Sequence, residues 1–340
     1  MKVLICFSTY SEWIKLKPLI KLMDKKEYKL FFTGQYSDLL SKIKVDYTIK
    51  LPKPLDNSLN SIMAECMLQF PTSQFDTVLL QGDSSATLGC ALAAYNKGIR
   101  TIHLESGLRT QDITGSYPEE GYRQMISRIT EINFCPTSTS LGHLISERVE
   151  GDGFVVGNSI LDNLVEHESK REYTNQVLVT LHKIQNHKLL DIWFKKINKI
   201  ALNNPNLEFI FPTHPLPIIK KYKHLLPNIK IINFLPHDKF LKILLKCKLV
   251  ITDSGGVMQE ASYFNKKVIV CKKTSEHPEG FYSGHLHLCS TPDFLSPLFN
   301  KLIKDYKIQI RCPYGEGRTS ENTYEIIKRS APQFKNLNKL

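Results

Sequence analysis

No apolar run in the 340 residues approaches the ~20 needed to span a bilayer. The opening "MKVLICFSTY" has one lysine and a short apolar run that turns polar, so it reads as a first β-strand rather than a signal peptide. The eight cysteines contain no CxxC pair and sit mostly in apolar contexts. That argues against a zinc site and for reduced core thiols in a cytoplasmic protein. A P-loop, a complete GxGxxG, low-complexity tracts and short-period repeats are all missing from the sequence. What is plentiful is apolar content, 42%, ample for packed cores, and positive charge, formally +12. The lysines are spread along the chain rather than gathered into a stripe with interleaved aromatics, which speaks against nucleic acid and for anionic small molecules.

Short apolar runs alternate with helix-length amphipathic ones. The strand-like runs are "KVLICF", "KLFFTG", "TVLLQG", "RTIHLE", "INFCP" and "FVVGN", then "QVLVTL", "LEFIFP", "IKIINF", "KLVITD" and "KVIVC". Helical patterns fall at 12–23, 85–97, 119–130, 138–148, 188–203, 237–247 and 256–264. Alternation of this kind, with near-continuous apolar strands, predicts parallel sheets covered on both faces. The polar break "NLVEHESKREYTN" divides the pattern into two doubly wound α/β domains, joined near residues 165–175.

Strand after strand ends in a polar cluster, and in open α/β sheets the ligand crevice lies beyond those ends. "TDSGGVMQEA" puts Ser254, Gly255 and Gly256 at a strand-to-helix turn, with Glu260 one turn on. Either the turn cradles a phosphate and Glu260 accepts from a ribose diol, or Asp253 or Ser254 caps the helix and the glycines only make the turn. Asp83 in "QGDSSATLG" reads as an N-cap. In "HLESGLRT" His103 and Glu105 share a side of a strand, and Glu105 is an acid–base candidate or the partner of Arg109. "YPEEGYRQ" starts a helix, with Pro118 at the first position and Glu119 and Glu120 in the first turn. His182 ends a strand, placed to meet a phosphate or to serve structurally. Phe240 reads as core on its helix stripe. Taken one by one the structural readings suffice, but three carboxylates, two histidines and a glycine-rich helix start all fall at predicted strand ends. That coincidence favours a site.

These segments resemble the UDP-N-acetylglucosamine 2-epimerase family. "HLESGLRT" and "PEEGYR" are similar to its HVEAGLR and PEExNR, "QGDSSATL" to GDTxTT, "VGNSILD" to GNTVID, "FPTHPLP" to its P-H-x-N-P segment, "TDSGGVMQEA" to TDSGGxQEEA and "CPYGEGRTS" to NPYGDGxAS. The matches run in order to about residue 320. The resemblance implies a GT-B-type architecture: a Rossmann-like domain over 1–168, a UDP-binding one over 169–320, a C-terminal segment 321–340 packing back on the first, and an active site in the interdomain cleft. It implies a homodimer needing no cofactor and no metal, a UDP-N-acetylhexosamine substrate, and UDP-N-acetylglucosamine as an effector. By resemblance Asp83, Glu105 and Glu119 form the acidic catalytic set and His182 attends the diphosphate. Ser254, Gly255 and Gly256 hold phosphates, Glu260 takes the ribose and Phe240 stacks on uracil. Lys15, Gln35, Arg123 and His214 are further ligand-side positions. The activity implied is C2 epimerisation by elimination and re-addition of UDP. The alternatives are a hydrolysing epimerase that releases UDP and free sugar, and a non-catalytic UDP-sugar-binding homologue. Three arginines of the family's pattern are missing: Tyr10 stands for one in the first turn, Ile184 for one after His182, and His277 for one in "EHPE". Those losses predict a weaker diphosphate grip or a different sugar.

Overall fold

The computed structural model describes residues 1–34, 43–50, 59–71, 75–213 and 216–330, of which 168–170 and 184 are described by backbone alone. The chain forms two compact units, Met1–Asn163 with Gly315–Leu340, and Leu164–Tyr314.

In the first unit the chain runs β1 (Val3–Phe7), α1 (Tyr10–Leu22), β2 (Tyr28–Phe32), β3 (Tyr47–Thr48), α2 (Leu59–Leu68), β4 (Thr77–Gln81), α3 (Ser85–Asn96), β5 (Arg100–Leu104), α4 (Glu119–Arg128), β6 (Ile132–Cys135), α5 (Ser138–Ser146) and β7 (Asp152–Val155). The strands form one parallel sheet in the order β3-β2-β1-β4-β5-β6-β7. Alternate residues of β1 feed two cores: Val3, Ile5 and Phe7 pack with Leu16 and Leu19 of α1, while Leu4 and Cys6 pack with α2 and α3. Such two-sided burial is why the strand reads as one apolar run. The first helix starts on a capping box. Thr9 Oγ1 accepts from the Glu12 amide at 3.2 Å, and the Glu12 carboxylate accepts from the amides of Thr9 and Ser8.

The second unit runs β8 (Gln176–Thr180), α6 (Leu190–Leu202), β9 (Glu208–Pro212), α7 (Pro217–Tyr222), β10 (Lys230–Ile232), α8 (His237–Lys246), β11 (Leu249–Thr252), α9 (Gly255–Tyr263), β12 (Lys267–Val270), α10 (Pro278–Tyr282), β13 (Leu286–Leu288) and α11 (Leu295–Leu302). Its sheet is also parallel, ordered β10-β9-β8-β11-β12-β13. Val177, Val179, Ile251 and Ile269 meet Trp193, Phe194, Phe211 and Phe299 in one of its cores.

The chain then returns to the first unit as α12 (Thr319–Arg329), which lies against α1 and buries Ile327 in the Val3–Ile5–Phe7 core. Asp162 holds the start of this helix, accepting from the amides of Thr319 at 3.0 Å and Ser320 at 2.6 Å. Strands β3 and β13 and helices α2, α7, α10 and α11 were not anticipated; the two strands are edge pieces of two and three residues. No helix among the described residues is long and apolar enough to cross a membrane.

Candidate active site

Because every strand is parallel, all carboxyl ends of a sheet share one edge, and the strand order reverses at one place in each sheet. In the first unit that place is between β1 and β4, and in the second between β8 and β11. Helices leave in opposite directions there and open a crevice. Polar groups collect at both reversals.

In the first unit Glu105 is the focus. Strand β5 ends at Leu104, so the predicted i, i+2 alternation with His103 stops short of Glu105, which takes the left-handed φ of 62° instead. A non-glycine residue held there is strained by about 1–3 kcal/mol, and something must hold it. Three donors do. Lys15 Nζ lies 2.8 and 2.6 Å from its two oxygens, Gln81 Nε2 reaches Oε2 at 2.6 Å, and Asn158 Nδ2 reaches Oε1 at 3.0 Å. Burial alone would push the Lys15 ammonium down, but the charge of Glu105 and the hydrogen bond to it hold it above its ordinary value. Arg109 is not part of this cluster: it forks onto Glu147 with two 2.8 Å bonds. His103 turns inward, Nε2 2.8 Å from the Gly82 carbonyl, and burial keeps its pKa below normal, so it is structural.

Asp83 does not cap α3; Ser84 does, accepting from the Thr87 amide at 3.2 Å. Asp83 instead pairs with Arg123 at 2.8 Å, whose Nη1 reaches Glu120 at 2.9 Å. Glu120 is fully buried and also accepts from the Thr110 amide at 2.8 Å. Two neighbouring glutamates therefore differ in kind. Glu120 is locked into the fold, whereas Glu119, half-buried at the first position of α4, has no hydrogen-bond or ionic partner among the described residues. Pro118 lies just outside the helix rather than at its first position. Glu12 went unremarked as a site residue. It is buried against the Ser8 amide and hydroxyl beside Gly82, and burial raises its carboxyl to about 7.

In the second unit Asp253 caps nothing. Its carboxylate is fully buried and accepts from the amides of His182 at 3.1 Å and Lys183 at 2.9 Å and from Asn186 Nδ2 at 3.0 Å. It thus ties the turn after β8 to the end of β11, and the His182 ring sits 3.7 Å from it. Ser254 is the N-cap of α9 but makes no side-chain cap bond. A Cβ placed on Gly256 would meet nothing within 4 Å, and its φ lies outside the left-handed region. Among the described residues nothing calls for glycine there, so the position is open to close approach by a ligand. A Cβ on Gly255 would lie 3.5 Å from Nε2 of His277, which is buried. Glu260 is buried on α9 with Oε1 2.5 Å from Nε2 of His237. Phe240 is not core: it is half-exposed, while Leu241, Leu244 and Leu245 form the buried face of α8. Tyr10 is half-buried at the start of α1. Gln35, His214 and the side chain of Ile184 lie outside the described residues. Among those residues no group of three His, Cys, Asp or Glu side chains could hold a metal ion.

The sequence model of the family described as UDP-N-acetylglucosamine 2-epimerase matches residues 23–328. The chain belongs to this family. A UDP-N-acetylglucosamine 2-epimerase of Campylobacter jejuni is 30% identical, covering 96% of this chain and 97% of its own length. One of Bacillus subtilis is 30% identical, covering 96% and 95%. The solved structure of the Neisseria meningitidis enzyme bound to UDP-GlcNAc superposes with a TM-score of 0.86 at 27% identity, over 97% of this chain and 100% of that one. Two parallel-sheet α/β domains and these neighbours make the fold GT-B-like, and family membership makes the protein an isomerase of nucleotide sugars.

Proposed function

We propose that this epimerase inverts C2 of a UDP-N-acetylhexosamine, with the carboxylates of the first unit acting on the sugar and the second unit holding the nucleotide. The C2 proton of an N-acetylhexosamine is not acidic, so direct removal is implausible. Elimination avoids the difficulty. A base takes the C2 proton while the C1–O bond breaks, its electron pair leaving with the β-phosphate of UDP and a C1=C2 double bond forming in a 2-acetamidoglucal. Protonation at C2 on the opposite face and return of UDP to C1 complete the inversion.

The observation that carries this reading is the setting of Glu105, a strained residue at a strand end whose carboxylate gathers three donors. C1–O cleavage makes C1 cationic, and a fixed carboxylate stabilises it without reorganising. Inversion needs a base on one face and an acid on the other. Glu119, half-buried and unpaired, is free to exchange a proton, and Asp83 with Arg123 is the further member of the acidic set. On the nucleotide side, His182 and the amides at Ser254, Gly255 and Gly256 receive the diphosphate as it gains charge. Glu260 takes the ribose hydroxyls, and the half-exposed Phe240 stacks on uracil. Lys15, by its two short bonds to Glu105, sets the catalytic carboxylate rather than meeting the ligand alone. The cysteines, all unpaired, support a cytoplasmic setting. Family resemblance supports a homodimer and UDP-N-acetylglucosamine as an effector.

Proton NMR of the protein with UDP-N-acetylglucosamine in deuterium oxide tests the reading. The expected product is UDP-N-acetylmannosamine carrying deuterium at C2. Free N-acetylmannosamine with UDP would overturn re-addition, and epimerisation without deuterium at C2 would overturn the elimination.

A further inference from the structure

Glu260 and Phe240 come from different helices, and the residue joining them was not anticipated. His237 is the first residue of α8, and Phe240 follows it by three, so both side chains lie on one face of the helix. The His237 ring reaches across to α9, its Nε2 2.5 Å from Glu260 Oε1, with 20% of the imidazole and 4% of the carboxylate side chain exposed. Glu260 Oε2 makes no hydrogen bond among the described residues. Along α9, Glu260 is five residues beyond Gly255, a rise of about 7.5 Å that a ribose 5′-diphosphate can bridge.

We propose that His237 is a positioning residue for the nucleotide: by donating to Oε1 it fixes the Glu260 carboxylate so that Oε2 faces the ribose diol. This rests on the reading of Glu260 as the ribose acceptor. A carboxylate has two equivalent oxygens and a free χ3, and both would otherwise be shared between solvent and ligand. Clamping one of them leaves a single directed acceptor, and the clamp belongs to the helix that carries the stacking ring. Base and ribose recognition are thereby set in register by one element.

The test compares binding of UDP and of 2′-deoxy-UDP to the full chain by calorimetry, in wild type, Glu260→Gln, His237→Ala and His237→Gln. An imidazole Nε2–H is replaced in position and donor character by the Gln amide, so His237→Gln preserves the clamp while His237→Ala deletes it. Wild type is expected to prefer UDP by about tenfold or more, the scale of one hydrogen bond to a charged acceptor. His237→Ala is expected to weaken UDP by about that factor, to leave 2′-deoxy-UDP nearly unchanged and to lose the preference, and His237→Gln to regain it. A full preference in His237→Ala, with none in Glu260→Gln, would overturn the role of His237 and leave the ribose reading intact. A full preference in Glu260→Gln, or none in wild type, would overturn the ribose reading and the proposal with it. Equal weakening of both nucleotides in His237→Ala, not regained in His237→Gln, would reduce His237 to a packing residue.

Discussion

Asp253→Asn isolates the tie between the turn after β8 and the end of β11. In the native turn one carboxylate oxygen, Oδ2, accepts from the Lys183 amide at 2.9 Å and from Asn186 at 3.0 Å, and both oxygens lie 3.1 Å from the His182 amide. An amide with its oxygen at the Oδ2 position keeps the first two bonds without the charge. Its NH2 then faces the His182 N–H, donor against donor, and the His182 amide keeps only its 3.1 Å approach to the Oδ2 position. Hydrogen bonds to a charged group contribute about 1.5–3 kcal/mol and neutral ones about 0.5–1.5, so the two retained bonds lose about 1 kcal/mol each and the third about 2. Burying an amide costs less than burying a carboxylate and offsets part of that sum, leaving a loss of about 2–3 kcal/mol. The assay is urea unfolding. The chain has two tryptophans, Trp13 in the first unit and Trp193 in the core of the second, so a Trp13→Phe background reports the second unit alone. With a urea m-value of about 2–3 kcal/mol/M the midpoint should fall by about 1 M, and UDP affinity should fall with it as His182 loses its anchor. A midpoint shift below about 0.3 M with unchanged UDP affinity would refute the argument that Asp253 organises the turn.

Glu119→Gln should lower kcat by about 100- to 10,000-fold, the range for loss of a general acid or base. Its stability should change by under about 1 kcal/mol, because the carboxylate's main interaction in the fold is with the α4 N-terminus; residual activity above a tenth removes it from the proton-transfer set. Glu12 gives a pH signature. Its carboxyl is raised from 4.5 to about 7 in the folded protein, so the fold binds that proton more tightly than the unfolded chain. Stability it contributes at low pH is lost as pH rises through that window, by roughly 3 kcal/mol. Glu12→Gln should therefore gain on wild type between those two pH values, read from Trp13 fluorescence in a Trp193→Phe background, and a constant difference across the range refutes it.

The architecture was readable because strands buried on both faces cannot avoid being apolar, as β1, β4, β11 and β12 show. Edge strands β3 and β13 escape that rule: they are too short to carry a pattern and pair on one side only. The candidate carboxylates could be picked out by their positions at strand ends, but their partners could not. Lys15 and Glu105 are 90 residues apart, Asp253 and Lys183 70, and His237 and Glu260 23, separations that only the folded sheet closes. Arg109 shows the opposite error. Four residues from Glu105 in sequence, it bonds instead to Glu147, 38 residues on. Phe240 was misplaced because helix periodicity marks an apolar stripe without showing which edge of it the core covers. The signal for Glu12 was present in the serine-threonine-x-x-glutamate capping pattern, which identifies a helix start but not the burial that raises its pKa.

The return of α12 to the first unit has a consequence for synthesis on the ribosome. Residues 164–314 form the second unit as one uninterrupted stretch, so it can complete its fold as soon as that stretch has emerged. The first unit begins earlier and finishes later. Until Ile327 arrives, the apolar face of Val3, Ile5, Leu16 and Leu19 lacks part of its cover, and the Asp162 carboxylate lacks the two amides it holds. The nascent protein thus carries an unfinished apolar surface from the synthesis of the first strands until α12 emerges, the interval in which a chaperone has most to protect.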